Sequence, residues 1–419
     1  MAARVHVIGA GLAGLSAATI LAGAGYAVSL YEAGPAAGGR CRSYHDRTLD
    51  LLIDNGNHLL LSGNRDVFDF RARIGAEDRP GAALAGPEAA AFPFLDLASG
   101  ARWILRPSAG RLPLWAFSAA RRVPGSRARD YLALAKLATV RDDRSVADLF
   151  ATHPLYRRLI APLAIAVLNT PPEEALARLL GAVLRETLAR GGRAAIPRFP
   201  AHGLSAALID PALAWLAARG AAMAYGRRIA GLTLSGGRVS GLEGPGGAVA
   251  LAPADWVLLA VPAPVAGGLL PGLVVPDEFQ AIVNLHFAAT ADLGPAGFLG
   301  LLGGTAEWVF AKDGHLSVTI SAANRLNEAD PEALAADVWS DLSRALALPA
   351  AMPACRLVRE RRATFAATAA QEARRPGPRV GPANLLLAGD WTATGLPATI
   401  EGAIRSGRVA ASLVRKDAP

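Results

Sequence analysis

Three glycines near the start of the chain, Gly9, Gly11 and Gly14, stand at a spacing that lets a backbone wrap an anionic group. The first permits a tight turn, the second a close approach to a pyrophosphate, and the third close packing of a helix on a strand. Free N–H groups and partial positive charge at that helix start would hold the phosphates, and Glu32 further on could accept hydrogen bonds from ribose hydroxyls. A second glycine pair, Gly38-Gly39, followed by Arg40 adds another backbone approach and a cation for phosphate. A nicotinamide dinucleotide does not need that addition, so the combination favours FAD, bound non-covalently. Near the other end, the apolar run Leu385 to Ala388 closes on Gly389-Asp390. There Asp390 could meet a ribityl chain, and a helix opening near Ile400 would aim its N-terminus at the flavin pyrimidine.

The elements that must position these residues are legible around them. Val5 to Ile8 reads as a strand, the alanine-rich stretch to about Ala24 as a helix, and Tyr26 to Tyr31 as a parallel second strand, the opening of a doubly wound α/β sheet. Between about Pro80 and Pro200 helical periods dominate, at Tyr131–Leu137, Val146–Ala151, Leu155–Leu168 and Ala175–Arg190. A hairpin follows over Ile229–Leu234 and Val239–Leu242, turned by Ser235-Gly236-Gly237-Arg238. A strand follows from Trp256, then strands over Ile282–Ala288, Trp308–Ala311 and Leu316–Ser321, and a helix over Pro331–Leu346. The expected fold is α/β: a Rossmann-like FAD-binding domain of glutathione reductase type with an inserted α+β substrate domain. The FAD domain takes residues 1–79, 205–263 and 380–419; the substrate domain takes 80–204, as its helical segment, and 264–379.

Composition narrows the function classes. Of 419 residues 52% are hydrophobic and 19% charged, with mean hydropathy +0.29, apolar for a globular enzyme. The net charge is +8, but the arginines are scattered and none of the basic stretches is interleaved with aromatics, which argues against nucleic acid and leaves acidic lipid open. Two cysteines, Cys41 and Cys355, exclude a disulfide framework and a zinc spacing, so no metal and a cytoplasmic location are expected. Trp256 to Val275 is uncharged and long enough to span a bilayer, yet Pro262, Pro264 and Pro271 break it.

The blocks at the two ends of the chain resemble the phytoene desaturase and amine oxidase superfamily. Asp54-Asn55-Gly56-Asn57-His58-Leu59-Leu60-Leu61, Leu168-Asn169-Thr170-Pro171-Pro172-Glu173-Glu174-Ala175 and the run from Ala388 to Ala403 are similar to the hydroxysqualene dehydroxylase family within it. The resemblance implies reduction of hydroxysqualene to squalene in hopanoid or related triterpenoid biosynthesis. It places Gly9, Gly11, Gly14, Glu32, Gly39, Arg40, Gly389, Asp390 and Ile400 around FAD, with Ile229 meeting the adenine through its backbone. Asn57 departs from the glutamine common among relatives. The chemistry would protonate an allylic hydroxyl, and His58, then Asp54, are the candidate proton donors because they follow the Gly-Gly-Arg block closely. A buried histidine satisfying a carbonyl and a turn-capping aspartate are the equally weighted alternatives. The implied partners are a C30 isoprenoid, an unnamed electron donor, and peripheral contact with terpenoid synthases and with the inner membrane face. The expected membrane patch is Leu159 to Leu168 beside Arg157-Arg158. A carotenoid or squalene desaturase, an amine oxidase and a flavin-stabilised interaction subunit remain open at this point.

Overall fold

The computed structural model describes residues 3–417. Its first sheet is five-stranded and parallel, in the order Ala222–Ala224, Ala27–Tyr31, Arg4–Ile8, Trp256–Leu259, Leu385–Leu387. Strands covered on both faces need continuous apolar runs, which is what Val257 to Leu259 and Leu385 to Leu387 supply. The helix Leu12–Gly23 crosses from the first strand to the second and packs along the C-terminal helix Ile400–Asp417. That packing depends on Gly407, where a Cβ would collide with the carbonyl oxygen of Ala13. A three-stranded antiparallel meander, Gly231–Ser235, Arg238–Glu243 and Val249–Ala250, turns at Gly236-Gly237, both with positive φ as a two-residue hairpin requires.

The second sheet has seven strands, ordered Cys355–Phe365, Phe279–Phe287, His315–Ile320, Trp308–Lys312, Phe298–Leu302, Phe92–Asp96, Arg102–Leu105. The helix Pro331–Leu346 covers one face, laying Leu334, Val338, Trp339 and Leu342 on Val283, Leu285, Phe287, Leu316 and Val318. The hairpin Phe92–Asp96/Arg102–Leu105 corrects the reading of residues 80–204 as a helical segment, for that stretch opens with two strands of this sheet. Pro93 and the shortness of the run hide its alternation. Leu159, Ile160, Ala164 and Leu168 are buried in the core of the helical stretch, while Ala161 to Leu163, Ile165 and Val167 are half-buried and Ala166 is exposed, so part of the expected membrane patch is internal packing. Trp256–Leu259 is a central strand followed by the short helix Ala263–Leu269, and among the described residues no helix is long and apolar enough to cross a membrane.

The C-terminal helix is also tied by charge. Glu401 accepts from the N–H groups of Asp66 (3.1 Å) and Val67 (3.0 Å), capping the helix Arg65–Arg73, whose own Asn64 supplies no side-chain cap. Arg405 donates to Glu186 (2.9 and 2.6 Å), Asp66 (2.9 Å) and Glu401 (3.1 Å), and Arg408 adds a second bond to Asp66. Burial raises the Glu401 carboxyl; burial would also raise Asp66, but the bonds from Arg408 and Arg405 bring it below its usual value. Replacing Arg405 removes the cation shared by three carboxylates and leaves Glu186 and Glu401 without a cationic partner among the described residues. Arg405→Met should cost about 3–5 kcal/mol in urea unfolding; a loss under about 1 kcal/mol would mean the cluster is hydrated and does not hold the three helices.

Candidate active site

The helix Leu12–Gly23 begins without a side-chain cap at Gly11 and without an acidic residue in its first turn. Gly9 has φ +104°, and a Cβ there would strike Ala260; Gly14 likewise approaches the Gly9 carbonyl too closely for a side chain. At Gly11 a Cβ would meet nothing within 4 Å, whereas one on Gly39, at φ +56°, would lie 3.6 Å from the Gly11 Cα. Two glycine backbones therefore face each other across the uncapped helix start, a cradle that fits a dinucleotide pyrophosphate. Glu32 closes one end, its carboxylate accepting from Ala10 N–H (2.9 Å) and Gly34 N–H (2.8 Å). The backbone N–H of Arg227 bonds the Glu32 carbonyl (2.8 Å), so Ile229, two residues on and buried, lies on the expected adenine side.

At the other end Arg40 meets Asp390 through two bonds of 2.7 and 2.8 Å. Gly389, at φ +156°, donates its N–H to Ser406 (2.8 Å) and leaves no room for a Cβ beside the Trp391 indole. The loop after Asp390 is pinned by Arg375, fully buried, which donates to the carbonyls of Asp390 (3.1 Å) and Leu396 (2.8 Å) and to Glu372 (2.7 Å). Ile400 opens the C-terminal helix under that loop and is buried. The structure thus links Glu32 to the glycine turn of residues 9–14 and to the segment before Ile229, sets Gly39 against Gly11, and bonds Arg40 to Asp390 ahead of the helix that Ile400 opens.

Asp54 ends the strand Leu51–Asp54, 3% exposed, and its carboxylate is fully engaged. Oδ1 accepts from Ser43 Oγ (2.6 Å) and Leu204 N–H (2.8 Å), and Oδ2 from Lys312 Nζ (3.1 Å). Lys312 also donates to the Pro200 carbonyl, and burial lowers its ammonium against the raising effect of Asp54. Asp54 therefore orients the loop that carries Asn57 and His58. His58 is only partly buried, with Nε2 3.8 Å from Cys41 Sγ. Desolvation lowers its pKa to about 4 and raises the Cys41 thiol to about 12. Asn57 Nδ2 donates to Ser317 (2.8 Å) and Thr319 (2.9 Å), joining the cradle to the seven-stranded sheet.

The sheet face reached by Asn57 changes character along its width. Strand alternation puts Asn284, His286, Ser317, Thr319 and Lys312 opposite the helix-covered face, nearest Asn57. Thr319 bonds Asn284 (2.7 Å) and Ser317 bonds His286 (3.0 Å), while Asn57 Oδ1 and His286 Nε2 have no partner among the described residues. Further across the same face stand Trp308, Phe310, Phe298 and Phe94, with Phe199 packed on Phe298 and Phe310. A polar end beside the cofactor cradle and an aromatic end beyond it suit a long apolar substrate with one polar group.

The cradle and the two sheets define a class, the FAD-dependent oxidoreductases of mixed α/β fold. An oxidoreductase of known structure from Methanosarcina mazei superposes over 98% of this chain and 100% of its own, with a TM-score of 0.73 at 16% identity. The family model for flavin-containing amine oxidoreductases matches residues 12–294 and 301–415. The hydroxysqualene dehydroxylase of Rhodopseudomonas palustris is 50% identical over 99% of both chains, and that of Sinorhizobium fredii 47% over 99% of this chain and 98% of its own. The chain belongs to the flavin-containing amine oxidoreductase family and groups within it with the hydroxysqualene dehydroxylases. It is an FAD-dependent oxidoreductase.

Lys312, His286 and Arg375 carry no local sequence motif; only strand alternation around Lys312 and His286 could have pointed to a polar face. Glu307, bonded to Ser321 N–H (2.8 Å) and pushed to about 7 by burial, is equally silent in sequence. Burial holds His286 near 3, whereas in the unfolded chain it titrates near 6.5. Between those values the unfolded state binds the extra proton, so the contribution of His286 is present above about 6.5 and is lost as pH falls. Glu307 acts in the opposite sense, which makes a comparison of variants necessary. From pH 7.5 to 5, wild type should lose about 2 kcal/mol more stability than His286→Phe; equal losses in urea titrations would show that His286 is solvated.

Proposed function

We propose that this oxidoreductase reductively removes the allylic hydroxyl of hydroxysqualene to give squalene, in triterpenoid or hopanoid biosynthesis. The observation that carries the reading is the single sheet face, polar beside the FAD cradle and aromatic beyond it. FAD, when bound and reduced, supplies the hydride from N5. His58 would deliver a proton to the substrate hydroxyl so that it leaves as water, and the allylic carbon left behind is where the reduced cofactor would supply hydride, exchanging C–O for C–H. Asp54 and Lys312 hold the loop that presents His58. Asn57 sets the distance between cradle and sheet, and Phe94, Phe298, Phe310 and Trp308 keep water from the cation. The physiological reductant is a separate electron donor, and the enzyme works in the cytoplasm at the membrane where its substrate resides.

A histidine held near 4 is a strong acid in the protonated form but carries the proton in only about one molecule per thousand at pH 7. Turnover should therefore rise about tenfold per pH unit as pH falls from 8 to 6. The decisive assay is anaerobic, with photoreduced protein and hydroxysqualene, following flavin reoxidation against squalene by mass spectrometry. Matched reoxidation and squalene formation are expected, with His58→Ala retaining FAD and slowed at least about 100-fold. Reduced flavin left unchanged sends the reaction the other way, to a desaturase tested on oxidised enzyme. Retention of the full pH dependence in His58→Ala would take the proton donor's role away from His58.

A further inference from the structure

The structure exposes large apolar side chains in one unusual place. Leu112, Leu114, Phe117 and Leu132 are 69%, 64%, 76% and 70% exposed, more than any other large hydrophobic among the described residues. They are held there by packing. In the turn Leu114–Phe117, Trp115 is buried edge-on against Tyr131 (centroids 4.7 Å apart), and the Tyr131 hydroxyl accepts from Val123 N–H (2.7 Å) and bonds Ser126 (3.1 Å). The inward Trp115 and Tyr131 fix the loop, and Leu114, Phe117 and Leu132 on either side of them face outward. A globular protein has no reason within its own fold to order such residues in water.

The charge around them is as uneven as the hydrophobicity. Residues 106–136 hold seven basic side chains and one acidic, a net +6 out of the +8 of the whole chain. Among the described residues none of Arg106, Arg111, Arg121, Arg122, Arg127 and Arg129 is in an ion pair, although arginines elsewhere pair repeatedly. Arg121 and Arg122 instead donate to the backbone carbonyls of Arg106 and Ala116, which keeps their charge at the patch.

We infer that Leu112, Leu114, Phe117 and Leu132, ringed by these arginines, form a docking surface for an anionic phospholipid bilayer. Leucine and phenylalanine insert at the depth of the headgroup and acyl boundary, while arginines remain at the phosphates. Each arginine near an anionic surface adds about fivefold to binding, so the apolar and basic groups together suffice where either alone would be marginal. A nucleic acid would ask for exposed stacking rings, and Phe117 is the only aromatic of the four. The surface lies over the apolar core that contains Phe94, Trp103 and Leu168, on the substrate side of the molecule. The inference does not depend on which reaction the site performs.

Flotation of the FAD-bound full chain is the test, without substrate or reductant, on phosphatidylcholine vesicles with and without phosphatidylglycerol. Wild type should float with anionic vesicles, be released by high salt, and bind neutral vesicles at least about tenfold more weakly. L114S/F117S should lose at least about tenfold in partitioning while keeping its flavin spectrum and its thermal unfolding midpoint. R121Q/R122Q should lose the preference for anionic lipid. Flotation of L114S/F117S equal to wild type overturns the proposal. So does failure of wild type to bind anionic vesicles, or a wild-type dimer that L114S/F117S converts to monomer without change in vesicle binding.

Discussion

Asp54 and Lys312, each with a side chain 3% exposed, meet 3.1 Å apart at the junction of the two sheets. A buried ion pair is costly to desolvate, and this one persists because Ser43, the Leu204 N–H and the Pro200 carbonyl satisfy what the pair leaves open. Its value lies in geometry. Asp54 ends the second strand of the hairpin that follows the Gly-Gly-Arg turn, and Lys312 belongs to the polar end of the seven-stranded sheet. Fixing one against the other sets where Asn57 meets Ser317 and Thr319 and where His58 faces. Removing either charge alone would leave the other unpaired in a low-dielectric junction, so the cofactor cradle and the substrate face are held together by an interaction that neither side can give up separately.

The ends of the chain are joined by a similar economy of arginines. Arg40 reaches Asp390, Arg375 gathers the loop from Asp390 to Leu396, and Arg405 draws the last helix to Asp66 and Glu186. Arg40 and Arg405 cross between segments far apart in sequence, where hydrophobic contact alone would leave register loose, while Arg375 closes a nearby loop. The guanidinium suits this role because its planar fork can serve several acceptors at once. Helix packing then needs only a small residue at the contact, which Gly407 supplies against Ala13.

Much of this was legible in the sequence. The elements around the proposed cofactor residues could be read because they sit on local patterns: glycines at a strand-to-helix turn, an acid at the next strand end, a Gly-Asp after a buried run. The helix Pro331–Leu346 was readable to its ends, since Asp330 caps it and Pro331 opens it. The substrate side was less legible, for physical reasons. Phe92–Asp96 and Phe298–Leu302 are short strands with a proline or glycine that blurs their period. Asp54 had to be placed against Lys312, a partner 258 residues away that no spacing announces. The run Leu159–Leu168 looked like a face because every residue in it is apolar, and only packing shows which side is core. The truly exposed apolar residues, Leu114 and Phe117, alternate with buried Trp115 and Ala116 in a short turn, too brief for periodicity to separate.

The fold by itself does not choose among the chemistries that share it, because amine, carotenoid and hydroxysqualene enzymes could all use the same flavin cradle. What differs is the face opposite the flavin. An amine substrate calls for aromatic rings stacked beside the ring system, and Trp391 is the one aromatic residue in the C-terminal block that sequence offered for the purpose. It is 3% exposed and turned into the core, its Nε1 bonded to the Val261 carbonyl at 2.8 Å. Its ring packs on Gly389 and shapes the loop beneath Ile400 rather than lining a cage. The aromatic residues are instead on the seven-stranded sheet: Trp308 and Phe310 stand across the ladder from Thr319 and Ser317, the two residues that Asn57 bonds, and Phe298 and Phe94 continue the row outward. The step from polar groups on Phe279–Phe287 and His315–Ile320 to rings on Trp308–Lys312 and beyond takes place across one strand spacing, so a reading of the substrate from this face turns on which groups lie against the flavin rather than on the cradle that all these enzymes share.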